Sequence, residues 1–238
     1  MRKTVRNRIF SAQHLNKFVV LYLLLAANPP LSVANNNGGL SDKFPEPHSL
    51  TPAVEFWKSV YGVYSTDQVI IHDKRDLDIV FEIVDFDELF LNPEDVSSRQ
   101  KWKKIEEIKK NYKAQLRSIS KKMRNSWALT GSEKAIVRLF GDRGTADRIY
   151  QASNNLRGQQ GLRERFREGI ERSSMYLDKI KEVFADYNLP QELIYMPHVE
   201  SSFNYRAYSK AGAAGLWQFT RGSARLFKLK LNYDVDER

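Results

Sequence analysis

The chain has 238 residues, 42% hydrophobic and 12% aromatic, which suffices for one large domain or two small ones and excludes global disorder. It has no cysteine, which excludes disulfide staples, thiol catalysis, Cys-based zinc sites and a lipidated cysteine at a mature N-terminus. The net charge is +9, yet five of the 38 basic residues and none of the 29 acidic ones fall in residues 1–34, so the excess argues less for nucleic acid than its size implies.

Those first residues read as an export signal. A basic stretch from Met1 to Lys17 precedes an apolar run from Phe18 to Ala27, then Pro29-Pro30 and the small-residue sequence Ser32-Val33-Ala34. As a helix the apolar run reaches only ~15 Å, about half of a bilayer core. A signal cleaved after Ala34 is therefore expected, with an uncleaved membrane anchor as the alternative. Either places the protein in the periplasm or cell envelope. Residues 35–52, rich in Asn, Gly and Pro, read as a linker.

Residues 53–160 read as a helical N-terminal region with a short hairpin. Apolar residues at 54, 56, 57, 60, 61 and 64 predict a helix over Val54–Tyr64, with Pro52 just before it. Two β-branched runs, Gln68–His72 and Asp78–Val84, flank a polar turn and predict the hairpin. Asp85–Leu91 reads as a connecting turn. Pro93 opens a long polar helix to about Arg124. That helix holds eleven Lys or Arg between Arg99 and Arg124 against two acids, Glu106 and Glu107. It is either a surface for an anionic polymer or a solvated face. No aromatic-rich nucleic-acid module accompanies it. Further helices are expected at Ser132–Phe140, Thr145–Ala152 and, as one element, Leu162–Tyr187, where Phe166, Ile170, Leu177, Ile180 and Phe184 repeat at steps of three and four or their sums.

Chemistry concentrates after Leu189. Pro190, Gln191 and Glu192 suit a helix start, and Pro197 predicts a kink or an early end. Glu200 then falls near the helix terminus, among Pro197, Val199 and Phe203, with Ser201 and Ser202 as hydrogen-bond partners. Apolar burial disfavours the charged form of a carboxyl group, and glycosidic cleavage needs a proton on the leaving oxygen. A solvated or salt-bridged Glu is the plain alternative. His198 reads as a hydrogen-bonded surface histidine. No second His stands at metal-ligand spacing, so neither a zinc site nor any cofactor is expected. Ser209, Gly212 and Gly215 allow tight turns and a close backbone approach. Leu216, Trp217 and Phe219 would anchor the helix that follows, and Gln218 offers a donor and an acceptor to a sugar amide.

These residues resemble the goose-lysozyme-like catalytic domain of the lytic transglycosylases, closest to the membrane-bound type D branch. The matching pieces are Glu200-Ser201, the Ser-x-x-Gly-Ala-x-Gly turn from Ser209 to Gly215, Gly-Leu-Trp-Gln from Gly215 to Gln218, and Asn232–Arg238. The stretches FWKSVYGVYSTDQVIIHD and RGQQGLRERFREGIERSSMYL are similar to the helical region that precedes this domain in some members. The resemblance implies a mainly α fold, a lysozyme-like helical catalytic domain begun at residues 161–238. It also implies cleavage of the β-1,4 bond between N-acetylmuramic acid and N-acetylglucosamine in peptidoglycan glycan strands. One Glu protonates the leaving oxygen and then acts as base, while the muramyl 6-hydroxyl attacks C1 to leave a 1,6-anhydro ring. By position Glu200 takes the acid/base role, Ser201 orients it, and Gln218 and Phe219 join Ser201 as substrate-binding residues. The family domain continues past the equivalent of Arg238, through an Ala-Tyr-Asn-x-Gly motif and a tyrosine. A truncated catalytic domain with little or no activity is therefore expected. The alternatives are a lysozyme that uses water, a non-catalytic peptidoglycan-binding protein, and a basic lipid or nucleic-acid binder built on residues 99–124. The export signal argues against nucleic acid.

Overall fold

The structure, a computed structural model, describes residues 47–238. The expected signal and most of the expected linker lie outside these residues. The chain divides into two compact units, one of residues 58–164 and one in which residues 47–57 join 165–238. Residues 48–52, expected as linker, instead hold a 3-10 turn (His48–Leu50) and the start of helix α1 (Thr51–Gly62).

In the unit of residues 58–164 the expected hairpin forms. Strand β1 (Gln68–Asp73) pairs antiparallel with β2 (Val80–Asp85), Val69 opposite Val84, with a register shift between Ile71 and His72. The turn is closed locally. The Asp73 carboxylate accepts from the Arg75 amide at 2.8 Å, and the Ile79 amide donates to the Asp76 carbonyl at 3.0 Å. A third strand, β3 (Leu156–Gln160), pairs antiparallel with the other edge of β1, giving the order β2-β1-β3. Its sequence, LRGQQ, has no run of β-branched or aromatic residues, so the strand carries no local signal. Gly158 fits here because a Cβ would stand 3.0 Å from Ile105 and 3.2 Å from Val69.

A short helix α2 (Phe86–Leu89) follows β2, capped by the Asp85 side chain. The long polar helix α3 runs from Ser98 to Arg124. It starts after Pro93 because Ser97 forms a capping box with Gln100. Helices α4 (Gly131–Arg138) and α5 (Ala146–Ser153) are N-capped by Thr130 and Thr145. Two apolar clusters result. Leu116 and Ile119 of α3 pack with Ile79, Phe140, Ile149 and Ala152, and Ile105 packs with Val69, Ile71, Val84 and Phe86. Between the hairpin turn and α5 lies an ion network. Arg148 Nη2 meets the fully buried Asp73 carboxylate at 2.6 Å and Asp76 at 2.6 Å.

The expected single helix over Leu162–Tyr187 is two, α6 (Arg163–Ser173) and α7 (Leu177–Asp186). The break sits at Ser173-Ser174. Their hydroxyls donate back to the carbonyls of Ile170 (2.7 Å) and Glu171 (2.8 Å), a local alternative to the helical ladder. Nor does Pro197 kink a helix. A 3-10 turn, Gln191–Tyr195, ends first, and α8 (Met196–Glu200) starts afresh with Pro197 in its first turn, where no amide hydrogen is needed. The last helix is α9 (Arg221–Leu226), capped by Thr220. No helix of the described residues is long and apolar enough to cross a membrane.

Candidate functional site

Glu200 is the last residue of α8 and is partly buried. The chain turns sharply behind it. The Pro197 carbonyl accepts from the amides of Ser201 (3.0 Å) and Phe203 (3.1 Å). Ser202 and Phe203 both take left-handed backbone, at φ +52° and +53°. For a bulky side chain such as Phe this conformation costs on the order of 1–2 kcal/mol, so packing must hold it. The packing is visible. Phe203 is fully buried and faces the Tyr176 ring at 6.3 Å, and the Arg172 guanidinium donates through Nε to the Ser202 carbonyl at 2.9 Å. Gly169 of α6 lets the turn approach, since a Cβ there would stand 3.2 Å from that of Ser202.

His198, expected at the surface, is buried at 3% exposure among the rings of Phe166, Tyr195 and Phe203. Its Nδ1 has no hydrogen-bond partner among the described residues. Burial without a compensating charge pulls its pKa from 6.5 down to about 4, so the ring is neutral at physiological pH. The expectation failed because the residue sits in the first turns after a helix restart that the sequence pattern does not mark.

The second piece of the site is the turn from Ser209 to Phe219. Ser209 closes it by accepting from the Ala213 amide at 3.0 Å, while its own amide donates to the Ala213 carbonyl at 2.8 Å. Gly212 and Gly215 sit at φ +79° and +81°, which suits glycine alone. At Gly215 the backbone carbonyl of Arg238 occupies the space a side chain would need. Arg238 also donates to the Gly212 carbonyl at 2.8 Å. It binds Asp236 at 2.6 Å, and this guanidinium holds the Asp236 carboxyl down at about 2.

The two pieces meet. The Ser201 hydroxyl donates to the Leu216 carbonyl at 2.9 Å, which ties the end of α8 to the Gly215–Gln218 stretch. Gln218, at φ +50°, spends its amide hydrogens on the carbonyls of Gly215 (2.9 Å) and Ala207 (3.2 Å). Its donors are thus committed to the turn, and what the side chain has left to offer is the Oε1 acceptor. Phe219 is partly buried and meets Phe227 edge-on at 5.9 Å. Trp217 stacks on Phe184 of α7 at 5.9 Å with planes 14° apart, so it packs inward rather than standing as an open platform. Gly169, Arg172 and Tyr176 support this arrangement and carry no motif that would single them out. Elsewhere, a cavity of about 170 Å³ in the unit of residues 58–164 is lined by Asp67, Ser98, Lys101, Trp102 and Gln160 among others, and contains none of the expected site residues.

Comparison with known families falls on the same segment. Residues 179–238 match the family model of the Transglycosylase SLT domain. Over 67 residues the chain is 43% identical to an Alteromonas sp. (strain M-1) protein described as a "Putative tributyltin chloride resistance protein", 28% of this chain and 32% of that protein. Over 51 residues it is 43% identical to the membrane-bound lytic murein transglycosylase D of Escherichia coli K12, 21% of this chain and 11% of that enzyme. The same enzyme of E. coli O6:H1 matches equally. The matched stretches are thus about a third and about a ninth of these relatives. No solved structure matches the chain. Glu200, Ser201, Gln218 and Phe219 all fall inside the family match, so the candidate site lies in the part of the chain, residues 179–238, that is similar to the Transglycosylase SLT domain.

Proposed function

We propose that the protein is a lytic transglycosylase of the bacterial cell envelope that cleaves peptidoglycan glycan strands. The bond broken is the β-1,4 link between N-acetylmuramic acid and N-acetylglucosamine. Glu200 gives its proton to the glycosidic oxygen as the C1–O bond breaks. The carboxylate then takes the proton of the muramyl 6-hydroxyl as that oxygen bonds to C1, leaving a 1,6-anhydro sugar and a regenerated acid. No second carboxylate and no cofactor enters this scheme. Ser201 positions the end of α8, and Gln218 and Phe219 form part of the sugar groove. Export through the N-terminal segment would bring the chain to its polymer.

The observation that carries this reading is the 2.9 Å hydrogen bond from Ser201 to Leu216. It holds the residue beside the partly buried Glu200 against the glycine turn, inside the segment that matches the transglycosylase family. The test is digestion of purified sacculi by the full chain, with products weighed by mass spectrometry. Anhydromuropeptides, lighter by one water than hydrolysed ends, released by the wild type and not by Glu200→Gln would bear the proposal out; neither release nor binding by the wild type would leave the reading of an inactive chain. Hydrolysed ends would reassign the protein as a lysozyme. Binding to sacculi without release of products would make it a wall-binding protein.

A further inference from the structure

Helix α3 presents a row of cations that the proposed reaction does not use. Arg99, Lys103, Lys110, Lys113, Arg117, Lys121 and Arg124 follow one another at steps of three, four or seven residues, so they share one face. All seven are exposed. At 1.5 Å per residue the row is ~37 Å long. Glu106 is the one acid within it, and it is bound to Lys109 at 2.8 Å. The opposite face carries Ile105, Leu116 and Ile119 into the core, so the row is fixed toward solvent by packing. The side chains of Arg99, Lys103, Lys110 and Lys113 make no ion pair or hydrogen bond among the described residues. The rest have light partners. Arg117 and Arg124 lie over the Tyr150 ring, Lys121 lies over Trp127, and Arg124 pairs with the exposed Asp147.

We propose that this face docks on an anionic phospholipid surface. A straight row of like charges that long needs a partner with negative charge spread over a similar distance, and a bilayer leaflet offers that without having to bend. Near the two ends of the row stand Trp102, 38% exposed, and Trp127, 56% exposed. Indole rings favour the headgroup level, where one edge is wet and the other apolar. An ordinary solvated helix face alternates charge signs; this one does not. The Tyr150 ring beside the row is already covered by two guanidinium groups, which removes one stacking platform that a single-stranded nucleic acid would use. The inference is independent of the chemistry at Glu200.

The test is flotation of the full chain with vesicles of phosphatidylcholine alone or with 30% phosphatidylglycerol, at low and high salt. The probe variant is Arg99→Glu, Lys103→Glu, Lys110→Glu and Lys113→Glu together; the N-terminal segment is the same in both proteins, so its own affinity cancels. The wild type should prefer the anionic vesicles and lose them at high salt. The charge-reversed protein should bind them at least about 100-fold more weakly, with unchanged binding to neutral vesicles. A Lys→Arg version at 103, 110 and 113 should bind as the wild type does, and Lys→Gln at those positions serves if the reversed helix is unstable. Equal binding by the reversed or neutral variant would overturn the proposal. So would a wild type that ignores anionic vesicles but holds sacculi or an oligonucleotide in a salt-dependent way.

Discussion

The imidazole of His198 stands edge-on to the Phe203 ring, centroids 4.5 Å apart and planes at 68°. The contact makes a titratable group part of the apolar packing behind Glu200. Its folded pKa of about 4 lies below the unfolded 6.5. Between these values the unfolded chain binds a proton that the folded one does not, so stability falls as pH drops through this window and levels off below it. Replacement His198→Phe should remove this dependence. The loss of melting temperature from pH 7.5 to 4.5 should be smaller in the variant, by the equivalent of at most about 3 kcal/mol. His72, also drawn down to about 4 by burial, keeps its own contribution in both proteins.

Ser201→Ala removes the hydrogen bond to Leu216 while leaving the helix cap geometry to the backbone. A loss of about 1 kcal/mol is expected in denaturant unfolding. A larger effect should appear in proteolysis, with cleavage rising within residues 209–219, because that turn loses its tie to α8.

Asp73 is fully buried and depends on Arg148. Arg148→Met should cost about 3–5 kcal/mol by leaving a carboxylate stranded in the interior. Adding Asp73→Asn should recover a large part of that loss. A thermal-melting cycle of the two singles and the double checks this, with strong coupling as the expected outcome.

Gly161→Ala places a Cβ against the backbone carbonyls of Tyr64 and Ser65, which cannot move aside. It should destabilise by about 2–3 kcal/mol or prevent folding. Gly131→Ala is the matched control, with nothing within 4 Å of the added carbon, and should be neutral or gain a few tenths of a kcal/mol. Circular dichroism melts of both variants decide it.

Elements whose stability is local were legible from composition and period. The hairpin announces itself through Val69, Ile70 and Ile71, and the long helix through its alternation of Ile105, Leu116 and Ile119 with charge. What escaped depends on distant partners. Strand β3 exists because β1 has a free edge and because Gly158 lets Ile105 come close, neither of which LRGQQ reveals. The break between α6 and α7 needs two serine hydroxyls turned back on the helix, and hydrophobic spacing runs straight through it. At the candidate site, the Ser-x-x-Gly turn and Gly215 are readable because positive φ demands glycine. The burial of His198 escapes the sequence because a single polar residue in an apolar stretch looks the same buried or exposed until its neighbours are known. Gln218 offers both a donor and an acceptor by residue type, but its donors hold the turn together.

The place of β1 between β2 and β3 bears on how the polypeptide is made. Its first neighbour emerges within one short turn, whereas Gln160, which faces Val69, is added only after the four helices α2 to α5 have been synthesised. Throughout that interval one side of an extended, isoleucine-rich segment stands open to any other nascent chain. Pauses that hold β3 inside the ribosome should therefore make this polypeptide a client of chaperones, and pauses after β3 has emerged should not.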